Sequence, residues 1–85
     1  METKEIIIDI IKEFKQKDEI LHPEELISSG FFDSFDIFSL IEKIEKRFSL
    51  KLDGNDITIE NFENISTISA IVERSLKGKS DEQQT

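Results

Sequence analysis

Residues 34–48, SFDIFSLIEKIEKRF, bring Ile37, Leu40, Ile41, Ile44 and Phe48 into one narrow sector when wound at about 100° per residue. A stripe of this kind holds a helix in water only by packing against other apolar surface. The segment therefore predicts a central amphipathic helix in a helical bundle. Phe35, Ser39, Glu42 and Lys46 fall on its opposite face. Asp33 or Ser34 is placed to cap its start, where the first backbone N–H groups have no partner within the helix.

The rest of the chain predicts packing partners for that stripe. In residues 3–16, TKEIIIDIIKEFKQ, Ile7, Ile10, Ile11 and Phe14 recur at helical offsets, with Thr3 as the expected cap. After a turn at Asp53-Gly54-Asn55, Thr58 can cap a short helix carrying Ile59 and Phe62. A last helix follows in NISTISAIVERSLKG, with Ser66 as cap, Ile68, Ile71, Val72 and Leu76 as its stripe, and Gly78 as its end. The stretch from 17 to 33 contains the only proline and Gly30, and reads as a long connection. Within it Glu24 to Ile27 fit one helical turn, and Ile20, Leu21, Leu26 and Ile27 are expected to wrap the core. These elements predict an all-α fold: a four-helix bundle of three main helices and a short third one, folded antiparallel around one core. The expected organisation is one domain over 1–78 and a disordered polar tail over 79–85.

A chain of 85 residues can bury one core and not two, and with 36% apolar against 35% charged residues that core is thin. Cysteine is absent, which excludes disulfides, thiolate metal sites and a cysteine nucleophile. His22, the sole histidine, has no second imidazole or thiolate to join it in a zinc site. No apolar run reaches the length of a membrane span, and METKEIIIDII has neither the basic leader nor the cleavage site of a signal peptide. A cytoplasmic monomer without membrane insertion is expected. A net charge of -8 repels nucleic acid and anionic lipid and favours a partner with a basic surface.

Charge is also unevenly distributed. From Asp18 to Glu42, and again from Asp53 to Glu73, the chain has acids but no lysine or arginine. If the two blocks adjoin in the bundle, they form one acidic flank past Ser34. The loop DGNDITIE does not make an EF-hand, because Gly54 stands second in it and Ile57 occupies a ligand position. Asp33 and Asp36 are a close carboxylate pair, but at a helix start they read as acids favoured by the helix dipole rather than an acid-base couple. Phe31, Phe32, Phe38 and Phe48 read as core and loop anchors, whereas Phe35 is expected partly exposed beside Ser34.

Gly30-Phe31-Phe32-Asp33-Ser34-Phe35-Asp36, followed by an amphipathic helix ending EKIEKRF, resembles the phosphopantetheine attachment region of acyl carrier proteins. That family has a glycine shortly before Asp-Ser-Leu, at the start of the second helix of a four-helix bundle. The resemblance covers nearly the whole chain, including the long first loop, the capped short helix at Thr58 and the ISTI entry to the last helix. Phe35 replaces the usual leucine, an Asp-Ser-Phe version similar to D-alanyl carrier proteins and some discrete carriers of polyketide or peptide assembly lines. A second departure is that Glu42 and Glu45 alternate with Lys43, Lys46 and Arg47, where fatty-acid carriers usually have acids.

The resemblance implies a freestanding carrier that is not itself an enzyme, bearing 4'-phosphopantetheine from coenzyme A on Ser34, with Asp33 and Phe35 beside it. It implies as partners a phosphopantetheinyl transferase, an acyl- or aminoacyl-loading ligase, and a downstream synthase or transferase with a basic surface. Asp36, Asp53, Asp56 and Glu60, with Glu42, would supply the acidic contacts, and Phe35 and Ile57 the apolar ones. The alternative is a helical adaptor for a basic protein, without a prosthetic group, in which Ser34 only caps a helix. A third reading, a small hydrolase using Ser34, is disfavoured because no residue pattern pairs a base with the hydroxyl.

Overall fold

A computed structural model describes residues 2–15 and 20–84, with side chains described as far as residue 78. Four α-helices follow in order: α1 (Thr3–Phe14), α2 (Ser34–Phe48), α3 (Ile59–Phe62) and α4 (Ile65–Gln84), with a 3-10 turn at Gly54–Asp56 before α3. All regular structure among the described residues is helical, the small all-α bundle expected from the periodicity.

One contiguous core joins them. Ile7, Ile10 and Ile11 of α1, Leu40 and Ile44 of α2, Phe62 of α3, and Ile65, Ile68, Ile71 and Val72 of α4 are buried in it, with Leu26 and Phe32 from the first loop and Leu52. α1 packs on both α2 and α4, and α3 packs on α4. The middle of the bundle is therefore α1 rather than α2. Ile37, Ile41 and Phe48 of α2 are only half-buried, because its neighbours reach one edge of the stripe more fully than the other.

Several local expectations are corrected. Glu2, not Thr3, stands before the first turn of α1, and no side chain caps it. Asn64 takes the role expected of Ser66: its Oδ1 accepts the Ser66 N–H at 2.8 Å. Thr58 does cap α3, accepting the Asn61 N–H at 3.1 Å. α4 continues through Gly78 instead of ending there, since Gly78 stays out of the positive-φ region that terminates helices. Of the tail expected to be disordered, 79–85, the backbone continues α4 as far as Gln84, while its side chains and Thr85 lie outside the described residues, as do Gln16 to Glu19 of the first connection.

The first loop forms turns, one of them closed by a single helical-type bond from the Ser29 N–H to Glu25 O at 2.9 Å, close to the helical turn expected over Glu24 to Ile27. Its attachment is long-range: Leu26 N–H donates to Glu63 O at 2.8 Å, and Ile65 N–H donates to Pro23 O at 2.9 Å. Ser28 N–H donates to both Glu63 carboxylate oxygens, at 3.0 and 3.2 Å. Leu26 and Ile27 wrap as expected, but Leu21 is 72% exposed. The loop reverses at Gly30, whose φ of +84° lies where an L side chain is strained. A Cβ there would touch nothing, so the whole cost of a substitution is backbone strain. Gly30→Ala is expected to lower stability by about 1–2 kcal/mol in denaturant unfolding without altering helix content.

Candidate functional site

The site is built where the first loop enters α2. Gly30 turns the chain, Phe32 is buried and stacks on Phe14 of α1 with ring centroids 6.2 Å apart, and Phe31 lies half-buried beside it. Those two anchors deliver Asp33 to the N-cap position in an extended conformation. A reciprocal capping box then forms. The Asp36 N–H donates to Asp33 Oδ1 at 2.9 Å, and the Asp33 N–H donates to Asp36 Oδ2 at 3.0 Å. The cap is therefore Asp33, and Ser34 is the first helical residue.

Ser34 is exposed, and its hydroxyl makes no hydrogen bond among the described residues. The N–H groups of Ser34 and Phe35 precede any helical acceptor and donate to none of the described residues either. One free hydroxyl thus stands beside two free amides at the positive end of the helix dipole.

Lys15, just past the end of α1, completes the cluster. Its Nζ lies 3.0 Å from Asp36 Oδ2 and 5.0 Å from the centre of the Phe31 ring. Burial alone would raise the Asp36 pKa. The Asp33 N–H and the Lys15 ammonium outweigh it and hold the carboxyl below its ordinary value of 3.8. Asp36 is consequently a cap and ion-pair residue rather than a free acid for a partner. The carboxylate left open beside Ser34 is that of Asp33, one of whose oxygens already accepts an amide.

The remaining predicted contacts divide. Phe35 is 83% exposed, as expected. Phe38, expected as an anchor, is 71% exposed: it stands about a quarter-turn from the centre of the α2 stripe, past the edge on which Ile37 and Ile41 are only half-buried. Glu42 and Glu60 are exposed, and Ile57 is 37% exposed. Asp53 Oδ1 accepts the Asn55 N–H at 2.9 Å, and Asp56 Oδ1 pairs with an Arg74 guanidinium nitrogen at 2.6 Å. Asp53, Asp56 and Arg74 line an open groove of about 750 Å³ with Glu45 and Ser49, around the C-terminal end of α2. That end lies about 20 Å along the helix from Ser34.

The two acidic blocks do adjoin, at the loop and the α3–α4 junction, but the flank is interrupted. Lys15 offsets Asp36, Arg74 offsets Asp56, and Glu63 is used by the Ser28 amide. Sequence reasoning missed Lys15 and Glu63 because each acts on a residue far away in the chain. No cluster of metal-ligating side chains occurs among the described residues, and no helix is long and apolar enough to cross a membrane. The chain matches no protein-family model, no curated protein and no solved structure.

The lowered Asp36 pKa has a defined consequence for stability. A carboxyl held below its unfolded-state value stabilises the fold fully above that value, and the contribution disappears as pH falls through the folded-state pKa. Asp36→Asn is expected to cost on the order of 1 kcal/mol at neutral pH. Its difference from wild type should shrink as pH is lowered below 3.8, which urea unfolding across that range measures.

Proposed function

We propose that the chain is a carrier protein of the acyl-carrier type, bearing 4'-phosphopantetheine on Ser34 and holding an acyl or aminoacyl group. The observation that carries this reading is an exposed serine hydroxyl with no structural duty, at the first position of α2, beside two unpaired backbone amides. The four-helix order, the loop entering through Gly30 and the Asp-Ser-Phe-Asp sequence support it through the resemblance already described.

The residues present fit such a group. A phosphodiester on Ser34 Oγ needs hydrogen-bond donors and relief from nearby carboxylates. The Ser34 and Phe35 amides are available as donors, and Lys15 offsets the charge of Asp36. When bound, the group supplies a thiol on a flexible tether, which forms the thioester that a cysteine-free chain cannot form itself. In the attachment reaction the Ser34 oxygen forms a bond to the pantetheine-linked phosphorus of coenzyme A. The phosphoanhydride bond breaks, adenosine bisphosphate leaves, and the hydroxyl proton passes to a base of the transferase. This chain's part is to present the hydroxyl, without activating it.

The adaptor reading loses part of its ground, because capping by Asp33 removes the role it gave to Ser34. Incubation with coenzyme A and a broad-specificity phosphopantetheinyl transferase, followed by intact mass, is expected to add one phosphopantetheine group to the wild-type chain. Ser34→Ala should unfold at the same denaturant concentration within about 0.5 kcal/mol and take up nothing. An unmodified wild type, or a modified Ser34→Ala, refutes the proposal.

A further inference from the structure

The start of α1 and the first half of α4 border a second cleft, of about 480 Å³, lined by Glu2, Thr3, Lys4, Ser69 and Glu73. It lies about 18 Å along α1 from Lys15, at the end away from Ser34. No side chain caps α1, and the Thr3, Lys4 and Glu5 N–H groups find no acceptor among the described residues. Ser69 sets this helix start apart. At 9% exposure it is the single polar side chain that is buried among the described residues. A serine within a helix commonly gives its hydroxyl to a carbonyl one turn back, yet Ser69 has no hydrogen-bond partner among the described residues. No fully enclosed side-chain oxygen there lacks a partner, so the Ser69 oxygen meets the cleft.

The cleft offers two kinds of contact. Its donors are the Thr3 and Lys4 amides at the positive end of the α1 dipole, the Ser69 hydroxyl and the Lys4 ammonium. Its acceptors are the Glu2 and Glu73 carboxylates, both exposed and without an ion-pair partner among the described residues. Glu73 is four residues beyond Ser69 and so its neighbour on the same face of α4. A bare anion would sit among carboxylates on a chain of net charge -8, and a bare cation against unpaired amides and Lys4. A molecule with both charges close together and no net one avoids either conflict. We infer that this cleft binds the zwitterion of a small α-amino acid. Its carboxylate accepts from the Thr3 and Lys4 amides and the Ser69 hydroxyl, and its ammonium donates to Glu73 and Glu2. The site shares no residue with the surroundings of Ser34.

Amide spectra of the isotope-labelled full chain, recorded by nuclear magnetic resonance as L-alanine is added, test this site. The Thr3, Lys4 and Ser69 signals are expected to shift together and to saturate, with a dissociation constant on the order of 10 mM. Acetate and methylamine, which lack one of the two charges, and betaine, which lacks the N–H donors, should bind at least about tenfold more weakly. Ser69→Ala and Glu73→Gln should each weaken L-alanine binding about fivefold. Ser69→Ala should leave the ligand-free thermal midpoint unchanged or higher, because alanine is the better helix former and no hydrogen bond is lost. Shifts that never saturate, acetate binding as tightly as L-alanine, or full affinity in both variants overturns the inference.

Discussion

Burial of Ile7, Ile10 and Ile11 in the middle of the bundle is the constraint on which the other features depend. These side chains are at most 1% exposed, and each is worth about 1.5–3 kcal/mol relative to leaving it in water. α1 is covered from two sides, by α2 and by α4, and it is the one helix that joins α2 to the α3–α4 pair through extensive packing. Its position also sets where Lys15 emerges. The 3.0 Å contact between Lys15 and Asp36 is thus a consequence of core packing as well as of charge.

The first loop couples this core to the candidate site. Glu63 receives both the Leu26 and the Ser28 amides, one through its backbone carbonyl and one through its carboxylate. With Phe32 buried against Phe14, the loop is held at two places before it reaches Asp33. A loop fixed in this way presents Ser34 to solvent in one geometry. On the carrier reading, the Ser34 and Phe35 amides that would meet a phosphodiester are then in place beforehand, which would remove an ordering cost from binding.

The electrostatics of the site come from a few pairings and not from the net charge. Of the acids near the start of α2, Asp36 is spent on the cap and on Lys15, and Asp33 is half-spent on the Asp36 amide. At the other end of α2, Asp56 is spent on Arg74. What remains open on the outer face of α2 is aromatic near Ser34, at Phe35 and Phe38, and of mixed charge further on, at Glu42 and Lys46. On the carrier reading, apolar contact therefore has a larger share in partner recognition than a uniformly acidic helix would give it.

The sequence by itself determined where the helices lie, because an apolar period is local: the stripe of α2, its start at Asp33-Ser34 and the cap at Thr58 are readable directly, whereas the caps expected at Thr3 and Ser66 and the end expected at Gly78 are not those of the fold. It also identified Phe35 as exposed, since that residue lies opposite the stripe. Tertiary structure alone decided which edge of each stripe is covered. Periodicity gives the direction of a face but not how far its neighbours extend, so Phe38 and Leu21 ended in solvent. It alone decided, too, which charges are free, because Lys15, Glu63 and Arg74 find partners that no local pattern brings together.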